Sequence, residues 1–379
     1  MAAGSSLVYE VSYRPIGYGG YGFVHEAIEI PSRKVVAIKK SRVPGHVKRT
    51  FLEHECRMIR LLQGHPAIPA VYAYGRLPHF DYMAMELLGK DLNAECNRMA
   101  EDGGTPLVKT SVRVTEQLLS ALNYIHLKGI VHRDIKPHNI LRSLKDPTQV
   151  VLIDFGLTGP VLSEPRKRRN VKKVWMCGTA DWASINAHRG IDLAPRDDLE
   201  SLAYTVCFVL NAGLPWLTAS SVWESDRIKR IRVCNSKTTF SPPSFPVEFA
   251  ELLAYARQLP FGKIPDYEIW QKRFENLANR LGSWPHEPLD WSIDKDRLPL
   301  PRLQVIPEVL PEVDEELENN IPSSIQAHYD SYDGMDLDCY NIQGSRDAEL
   351  TLPSSLLEDC AKCCVSNIAN IIDEVDLSL

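Results

Sequence analysis

Long runs of apolar residues are absent from this 379-residue sequence, and its nine cysteines follow no regular spacing. A helix that crosses a bilayer needs about 20 apolar residues, and no segment reaches that length. The N-terminal stretch Met1–Ser6 lacks the charged and apolar regions of a signal peptide. An odd number of scattered cysteines suits reduced thiols better than a disulfide framework. We therefore expect a soluble protein of the cytoplasm, the nucleus or both.

Charge is divided unevenly along the chain. Residues 296–379 contain 18 acidic and 4 basic side chains, a net charge of −14, while the total is −6, so residues 1–295 carry +8. The region from Arg297 to about Asp347 is rich in Pro, Ser, Asp and Glu, with the acidic run Glu312–Glu318 at its centre. This composition lacks the apolar content of a second core, and we expect the acidic tail to be mostly disordered.

Two short segments in the middle of the chain carry candidate chemistry. The run Val131–Asn139 reads VHRDIKPHN, and Asp154-Phe155-Gly156 begins fifteen residues after Asn139. Phosphoryl transfer from ATP needs a carboxylate that orients the incoming hydroxyl, a cation near the γ-phosphate and oxygen ligands for magnesium. Asp134 is the predicted carboxylate, Lys136 is the predicted cation, and Asn139 and Asp154 are the predicted magnesium ligands. They follow the order of a kinase catalytic loop and metal loop.

The N-terminal part contains the elements of a nucleotide-binding lobe. The segment Ile16–Val24 fits a kinase glycine-rich loop, in which glycine lets the backbone close over phosphates without a Cβ in the way. A Gly/Tyr-rich hairpin turn would look much the same, but the β-branched strand Val36–Lys39 follows at the spacing of a third kinase strand. Lys39 is predicted to hold the α- and β-phosphates. The matching loop positions are Gly17, Gly19, Gly22 and Val24.

Lys39 needs a carboxylate on the helix that follows, which we predict over residues 51–62. Glu53 and Glu55 are both candidates. Helical phase favours Glu55, which lies one turn before Ile59 of the apolar face. Glu53 is the alternative partner and is otherwise a solvated helix charge. The apolar face consists of Met58, Ile59, Leu61 and Leu62.

The rest of the body is predicted to be largely helical. One apolar-periodic helix over Val112–Leu127 leads into the catalytic loop. A second helix over Arg196–Leu210 is entered through Asp197 and Asp198. From the local sequence alone, Asp198 would be the N-cap of this second helix.

With these residues in place, the chain resembles the casein kinase 1 family of serine/threonine kinases over about residues 10–292. Most kinases close the activation segment with Ala-Pro-Glu, which is absent here. The segment Gly178–His188 stands in its place and is similar to the Ser-Ile-Asn segment of casein kinase 1 proteins. Further similarities lie at Met85–Gly89, Arg196–Leu202, Leu214–Trp216 and Lys263–Tyr267.

The resemblance implies an α+β, bilobal protein kinase fold with a small β-rich N-lobe and a larger helical C-lobe. The kinase domain would span residues 10–292, divided into an N-lobe at 10–88 and a C-lobe at 89–292, between a leader at 1–9 and the acidic tail at 293–379. It further implies an active, monomeric enzyme that transfers the γ-phosphate of ATP to serine or threonine in protein substrates, with ATP and Mg²⁺ as cofactors.

The resemblance also assigns individual roles. Asp198 would bind the backbone of the catalytic loop, Met85 would be the gatekeeper, and the backbone from Glu86 to Leu88 would pair with the adenine edge. The catalytic residues would be Lys39, Glu55, Asp134 and Lys136. The ATP site would comprise Ile16, Gly17, Gly19, Gly22, Val24, Ala37, Lys39, Met85, Glu86, Leu88, Leu141 and Ile153, of which Val24, Ala37, Leu141 and Ile153 would sandwich the adenine.

One departure from the family concerns substrate choice. Many casein kinase 1 members have an arginine two residues before the alanine of Ala183–Asn186, where it helps to bind a phosphate already on the substrate. Here that position is Asp181. A carboxylate cannot pair with phosphate, so we expect a preference for acidic segments over phosphate-primed substrates.

A basic loop precedes Gly178, and its positive field would attract acidic segments. A solvated loop or a nuclear localisation signal explains the same residues equally well. Nucleic acid is not an expected partner, because Trp175 is the only aromatic residue that accompanies the charges. The cations of this loop are Arg166, Lys167, Arg168, Arg169, Lys172 and Lys173.

The C-terminal stretch Leu356–Val375 has mostly helical apolar spacing and predicts a short amphipathic helix. Its cysteines, Cys360, Cys363 and Cys364, are candidates for palmitoylation, and contact with a membrane is expected only in that case. No polybasic second signal adjoins them, which favours a helix that docks on the kinase or stays loosely ordered. A zinc site would lack a fourth ligand at a recognisable spacing.

Two other function classes are open to a chain of this kind. A pseudokinase or scaffold that presents the acidic tail would be expected to have lost Lys39, Asp134 or Asp154, and all three are present. A small-molecule kinase of the aminoglycoside or choline type would lack the helix entry Asp197–Leu202. Both classes rank below a protein kinase.

Overall fold

The computed structural model describes residues 9–19, 22–30, 32–43, 50–77, 79–101, 108–165, 176–211, 213–217, 226–242, 246–283, 286–287, 289 and 303–306. A β-sheet dominates the N-terminal lobe and helices dominate the C-terminal lobe, which confirms the predicted α+β, bilobal fold. The predicted basic loop, most of the acidic tail and the predicted helix at 356–375, with its three cysteines, lie outside the described residues.

The described part of the N-lobe forms an antiparallel sheet of six strands in the order β10-β1-β2-β3-β5-β4. The central strand β3 alternates little between apolar and polar residues, because both of its faces are covered. A helix, α1, follows it and is capped at its N-terminus by the Thr50 side chain, which accepts a hydrogen bond from the amide of Glu53. The bounds are β1 Tyr9–Gly19, β2 Gly22–Glu29, β3 Val35–Arg42, α1 Phe51–Leu61, β4 Val71–Arg76, β5 Phe80–Met85 and β10 Leu303–Ile306.

The strand β10 is a difference from the sequence prediction, which assigned this part of the chain to a mostly disordered tail. The backbone of β10 pairs antiparallel with β1, with Ile306 opposite Tyr9 and Leu303 opposite Ser12. The four residues LQVI suit a strand. Their pairing with β1, in which Ser12 lies 291 positions before Leu303, cannot be read from local composition. The strand covers the edge that β1 would otherwise expose.

The described C-lobe is built around α5, which is buried along nearly its whole length. Its second half, Leu202–Leu210, is almost wholly apolar, as expected for a helix in the centre of a lobe, and α3 and α7 pack against it. The observed bounds of α1, α3 and α5 agree with the predicted bounds to within about one turn. The largest difference is at α3, which begins four residues before Val112. The helices are α2 Leu92–Glu101, α3 Val108–Leu127, α4 Ile185–His188, α5 Pro195–Asn211, α6 Asp226–Thr239, α7 Val247–Gln258 and α8 Tyr267–Leu281.

Four short strands hold the segments that carry the predicted chemistry. The catalytic loop lies between β6 (Ile130–Val131) and β7 (Ile140–Arg142), and Asp154 follows β8 (Val150–Leu152). Strand β9 (Gly159–Pro160) pairs with β6, so the segment after Asp154 returns to the start of the catalytic loop. One hydrophobic cluster joins β3 and α1 to α3, α5 and α8 and so connects the two lobes. Among the described helices, none has the length and apolar character needed to cross a bilayer.

Candidate active site

A buried ion pair joins strand β3 to helix α1 in the N-lobe. Lys39 lies in β3, and its Nζ is 2.6 Å from Oε2 of Glu55 in α1 and 3.5 Å from Oδ1 of Asp154. Burial alone would lower the pKa of Lys39, but the carboxylates of Glu55 and Asp154 outweigh it and raise that pKa. The partner is therefore the residue that helical phase favoured. The alternative, Glu53, approaches Arg76 at 3.9 Å on a partly exposed side of the helix.

The glycine-rich segment forms the hairpin of β1 and β2. Gly17 pairs with Val24, and Gly19 pairs with Gly22. A Cβ on Gly22 would lie 1.8 Å from the carbonyl oxygen of Lys40, and its φ is +155°, so only glycine fits there. Gly22 thus serves the close approach of β2 to β3, whereas a Cβ on Gly17 would meet only ordinary contacts. Ile16, the first residue of the glycine-rich segment, is 52% exposed.

The predicted adenine-binding residues lie at the junction of the lobes. Ala37 and Met85 face each other in neighbouring strands β3 and β5, and both are buried. Val24 and Ile153 are partly buried and pack against the same hydrophobic cluster. Leu141 is half-buried in β7.

The linker between the lobes is fixed on both sides of Leu88. The amide of Glu86 donates to the carbonyl of Ala70, and the amide of Gly89 donates to the carbonyl of Arg142. The Glu86 side chain turns away from the linker backbone, since its carboxylate contacts Lys145 at 2.7 Å. The linker backbone is therefore held in place by its own neighbours.

Asp134 is the most densely bonded side chain of the catalytic loop. Its Oδ2 accepts from Nζ of Lys136 at 2.6 Å and from Nδ2 of Asn139 at 3.2 Å. Its Oδ1 accepts from both the amide and the hydroxyl of Thr179, at 2.9 and 2.8 Å. A carboxylate with this many donors keeps one orientation, which a group that must align an incoming hydroxyl requires.

Thr179 is a site residue that the sequence reasoning missed. Its hydroxyl bridges the two catalytic-loop residues, because it donates to Asp134 and accepts from Nζ of Lys136 at 2.8 Å. Gly178 permits this approach: its φ is +87°, and a Cβ there would lie 2.5 Å from the carbonyl oxygen of Arg133. The signal was present in the Gly-Thr pair that opens the activation-segment motif, but that motif was used only to identify a family.

Asp198 holds the catalytic loop from below. Its carboxylate accepts from the backbone amides of His132 and Arg133, each at 2.7 Å, as the resemblance implied. It also accepts from Nε2 of His126 at 2.8 Å, and the hydroxyl of Tyr267 lies 2.6 Å from Nδ1 of the same ring. Burial opposes the charge on Asp198, but these hydrogen bonds and the neighbouring histidines keep its pKa below the ordinary value.

The N-cap interpretation of Asp198 is wrong. The capping contact at this end belongs to Asp197, whose carboxylate accepts from the amide of Ala194 at 2.8 Å. Asp197 also accepts from the side chains of Ser184 and Asn186, which ties the activation segment to the start of α5. Burial raises the pKa of Asp197 to about 6.

Asn139 and Asp154 fit the role of magnesium ligands. The amide nitrogen of Asn139 donates to the carbonyl and the carboxylate of Asp134, which leaves its oxygen as the atom for a metal. Among the described residues, no donor hydrogen-bonds to the buried Oδ1 of Asp154, and Nζ of Lys39 approaches this atom at 3.5 Å. Asp154 has φ +64°, a conformation that non-glycine residues adopt rarely outside functional sites. Hard oxygen donors of this kind suit Mg²⁺.

The position that departs from the family pattern is part of an ion pair. Oδ2 of Asp181 lies 3.0 Å from Nζ of Lys229 in α6, and its carbonyl accepts from Nε1 of Trp216 at 2.9 Å. The carboxylate that cannot pair with phosphate is thus paired with a lysine. The basic loop that precedes Gly178 lies outside the described residues, so its relation to Asp181 stays a prediction.

One comparison with known proteins bears on these observations. The family model described as protein kinase domain matches residues 10–256, about two thirds of the chain. The match includes the glycine-rich hairpin, Lys39, the catalytic loop, Asp154 and Asp198, and it ends within α7.

Proposed function

Because the chain belongs to the protein kinase domain family, and is thus a phosphotransferase that acts on proteins with ATP and a divalent metal, we propose that it is an active serine/threonine kinase of the casein kinase 1 type. It transfers the γ-phosphate of ATP to serine or threonine, with Mg²⁺ as the metal. The observation that carries the proposal is the complete catalytic set around Asp134, in which Lys136, Asn139 and Thr179 all bond to one carboxylate.

The proposed division of labour follows from the contacts. Lys39, fixed by Glu55, binds the α- and β-phosphates, and Asp134 orients the substrate hydroxyl and accepts its proton. Lys136 lies beside Asp134, where its charge can stabilise the transferring group. Asn139 and Asp154 hold the metal, which neutralises phosphate charge when it is bound. The backbone from Glu86 to Leu88 binds the adenine edge, between Val24, Ala37, Leu141 and Ile153.

Acidic segments of proteins are the proposed substrate class. Support comes from the ion pair of Asp181 with Lys229, because Asp181 stands at the position where the resemblance to casein kinase 1 proteins implies an arginine that binds a priming phosphate. The net charge of +8 on residues 1–295 further favours acidic partners. We propose a monomer of the cytoplasm or nucleus, which meets a membrane only if the C-terminal cysteines are lipidated.

The test incubates the full chain with labelled ATP, magnesium and a peptide library that contains acidic, pre-phosphorylated, serine, threonine and tyrosine members. Label on serine or threonine beside acidic residues supports the proposal. Asp134→Asn is the matched negative control and should lower transfer by about 10² to 10⁴, because it removes a positioned base at nearly constant size. Label confined to tyrosine would refute the serine/threonine assignment. Equal transfer by the Asp134→Asn variant would refute the site.

A further inference from the structure

A lysine in the C-lobe is buried away from the catalytic loop. Lys237 lies in α6, and its relative exposure is 0%. Lysine is almost never fully buried unless its charge is paired, because the ammonium group loses its hydration. Among the described residues, the atoms bonded to its Nζ are two backbone carbonyl oxygens and a histidine nitrogen.

Both carbonyls belong to the activation segment. Nζ of Lys237 donates to the carbonyl of Ala183 at 2.6 Å and to that of Ala180 at 2.8 Å. The third contact, Nε2 of His188, is at 3.3 Å. Two aromatic rings complete the pocket, with the centroids of Tyr204 and Trp216 at 4.8 and 5.4 Å from Nζ.

The segment that Lys237 holds is a closed turn that begins at the catalytic loop. The amides of Trp182 and Ala183 both donate to the carbonyl of Thr179, at 2.9 and 2.8 Å. Thr179 is the residue whose amide and hydroxyl bond to Asp134. Lys237 therefore donates to two carbonyls of this turn, and the first residue of the turn, Thr179, bonds to the proposed base Asp134.

We propose that Lys237 is a positioning residue that holds the turn Thr179–Ala183 in the shape that receives the acceptor peptide beside Asp134. The proposal rests on the proposed kinase function and adds a residue that sets the binding of the peptide. Lys237 acts through the turn, since its contacts are with Ala180, Ala183 and His188 and not with Asp134. Without the amine, the carbonyl of Ala183 would lose the donor shown here and that of Ala180 would keep only Nε2 of His188, which lies 3.0 Å away. A buried carbonyl without a donor is costly, so the turn would rearrange if the amine were removed.

The protonation state of Lys237 does not decide the geometry. Burial lowers its pKa to about 7, although the carboxylates of Glu200 and Asp181 oppose that shift; Cys234 and Arg257 also act on this pKa. Burial and Lys237 together lower the pKa of His188 to about 4, so this ring is neutral near pH 7. A neutral amine still has two N–H donors for the two carbonyls and can accept from His188. The turn is therefore held on both sides of pH 7.

The decisive variant is Lys237→Met, which keeps a long unbranched side chain and has no donor. Transfer from labelled ATP to an acidic serine peptide is measured with the full chain, and peptide and ATP are varied separately. We expect KM for the peptide to rise about tenfold while KM for ATP changes by less than about twofold. Lys272→Met removes a lysine that is 65% exposed in α8, and as the matched control it should leave both constants unchanged.

Lys237→Arg separates hydrogen bonding from the filling of space. The guanidinium keeps donors for both carbonyls, so KM for the peptide should stay within about threefold of the unmodified value. An Arg variant as impaired as the Met variant would overturn the proposal, because donors would then not be what matters. If Lys237→Met does not fold, Lys237→Gln replaces it, since its amide is too short to reach both carbonyls, and the same selective rise is expected.

Two other results would overturn the proposal. The first is an unchanged KM for the peptide in the donor-free variant. The second is a parallel loss of kcat and of ATP affinity together with a lower melting temperature, which would assign Lys237 to the fold alone. Absence of any transfer by the unmodified chain refutes the proposed function and this proposal with it, whereas ordinary transfer with equal KM values refutes this proposal alone.

Discussion

The Nζ atom of Lys39 lies 2.6 Å from Oε2 of Glu55, in an ion pair that is almost completely buried. Removal of one partner from a buried pair leaves the other charge uncompensated, which costs more than the pair contributes. Because Asp154 also approaches Lys39, this one contact joins β3, α1 and the metal loop. If Lys39 binds the phosphates as proposed, their alignment depends on the charge that α1 supplies through Glu55.

The first prediction uses the two candidate carboxylates as a matched pair. Glu55→Gln should lower kcat/KM for ATP by about 100-fold, because Lys39 loses the charge that fixes it and a small misplacement of reacting groups is costly. Lys39→Met should cost at least as much, with the fold intact. Glu53→Gln removes only a loose, partly exposed contact with Arg76 and should change the same constant by less than about twofold. Equal effects of the two glutamate variants would contradict the assignment.

The second prediction concerns the metal. Asp154→Ala should abolish transfer, and an increase in magnesium concentration should not restore it, because the lost oxygen is a ligand and not a screening charge. The measurement is the rate of phosphate transfer as a function of magnesium concentration, for the unmodified chain and for Asp154→Ala. Burial favours the neutral form of Asp154, but Lys39 and Lys136 hold its pKa below the ordinary value, so its carboxylate is charged at neutral pH, as a magnesium ligand must be. Full activity of the unmodified chain in excess chelator would refute this mechanism.

The third prediction concerns Tyr267, which lies in one of the segments that are similar to casein kinase 1 proteins. Its hydroxyl lies 2.6 Å from Nδ1 of His126, and Nε2 of the same ring donates to the carboxylate of Asp198, which can only accept. Burial raises the pKa of Tyr267 well above its ordinary value, so the hydroxyl stays protonated. Tyr267→Phe should lower kcat about tenfold with little change in either KM, because the support of the catalytic loop loosens.

The readout for Tyr267→Phe includes the ¹⁵N chemical shifts of the His126 ring, which report the hydrogen bond at Nδ1 and should change in the variant. Tyr255→Phe is the matched control, because it removes a hydroxyl that serves only the amide of Asp266 at an exposed turn. An unchanged kcat would show that Tyr267 has no part in positioning the loop.

The fold and much of the site follow from local sequence, for a physical reason. A glycine-rich hairpin, a β-branched strand that ends in Lys39, and an amphipathic helix that carries Glu55 are each specified by residues close together in the chain. Their spacing then determines which side chains meet. The bilobal prediction was therefore confirmed, whereas domain limits and the roles of the site residues stay predictions that need experiments.

What the sequence did not reveal depends on contacts between distant residues. Thr179 binds Asp134 across 45 positions, and Lys237 binds Ala183 across 54, and neither pair leaves a periodic signal. The pairing of β10 with β1 is likewise a property of the folded sheet, since any short apolar run can complete an open edge.

The fourth prediction separates β10 from the acidic run that follows it. A chain that ends at residue 296 loses both, whereas a chain that ends at residue 310 keeps β10 and loses Glu312–Glu318. Only the shorter chain exposes the edge of β1, so it should melt about 3 °C lower and self-associate at high concentration. Thermal melting and sedimentation of the two truncated chains measure this difference.

The same two truncated chains test whether the acidic run competes with substrate. If it folds back on the basic loop, both should show a lower KM for acidic peptides than the full chain, because both lack the run. A lower KM in the shorter chain alone would assign the effect to β10. Identical melting and association of the two truncated chains would show that β10 does not stabilise the sheet.

The fifth prediction is a change of specificity at Asp181. Its carboxylate is paired with Lys229 at 3.0 Å, so this lysine is not free to bind the phosphate of a primed substrate. Asp181→Arg places a guanidinium beside Lys229, and guanidinium binds phosphate through two charge-assisted hydrogen bonds. We expect kcat/KM for pre-phosphorylated peptides to rise about tenfold, with less than about a twofold change for unprimed acidic peptides. Asp181→Asn is the control, because it releases Lys229 without adding a donor cation, and it should give a much smaller gain.

Reversal of charge at Arg168 and Arg169 completes the comparison. It should raise KM for acidic peptides at low salt and have less effect at high salt, because a diffuse field is screened over about 10 Å at 0.1 M ionic strength. The gain of Asp181→Arg for primed peptides should survive in that background, since it depends on a local pair. A strong preference of the unmodified enzyme for pre-phosphorylated peptides would show that another anion site compensates for Asp181, and the proposed preference for acidic segments would then be wrong.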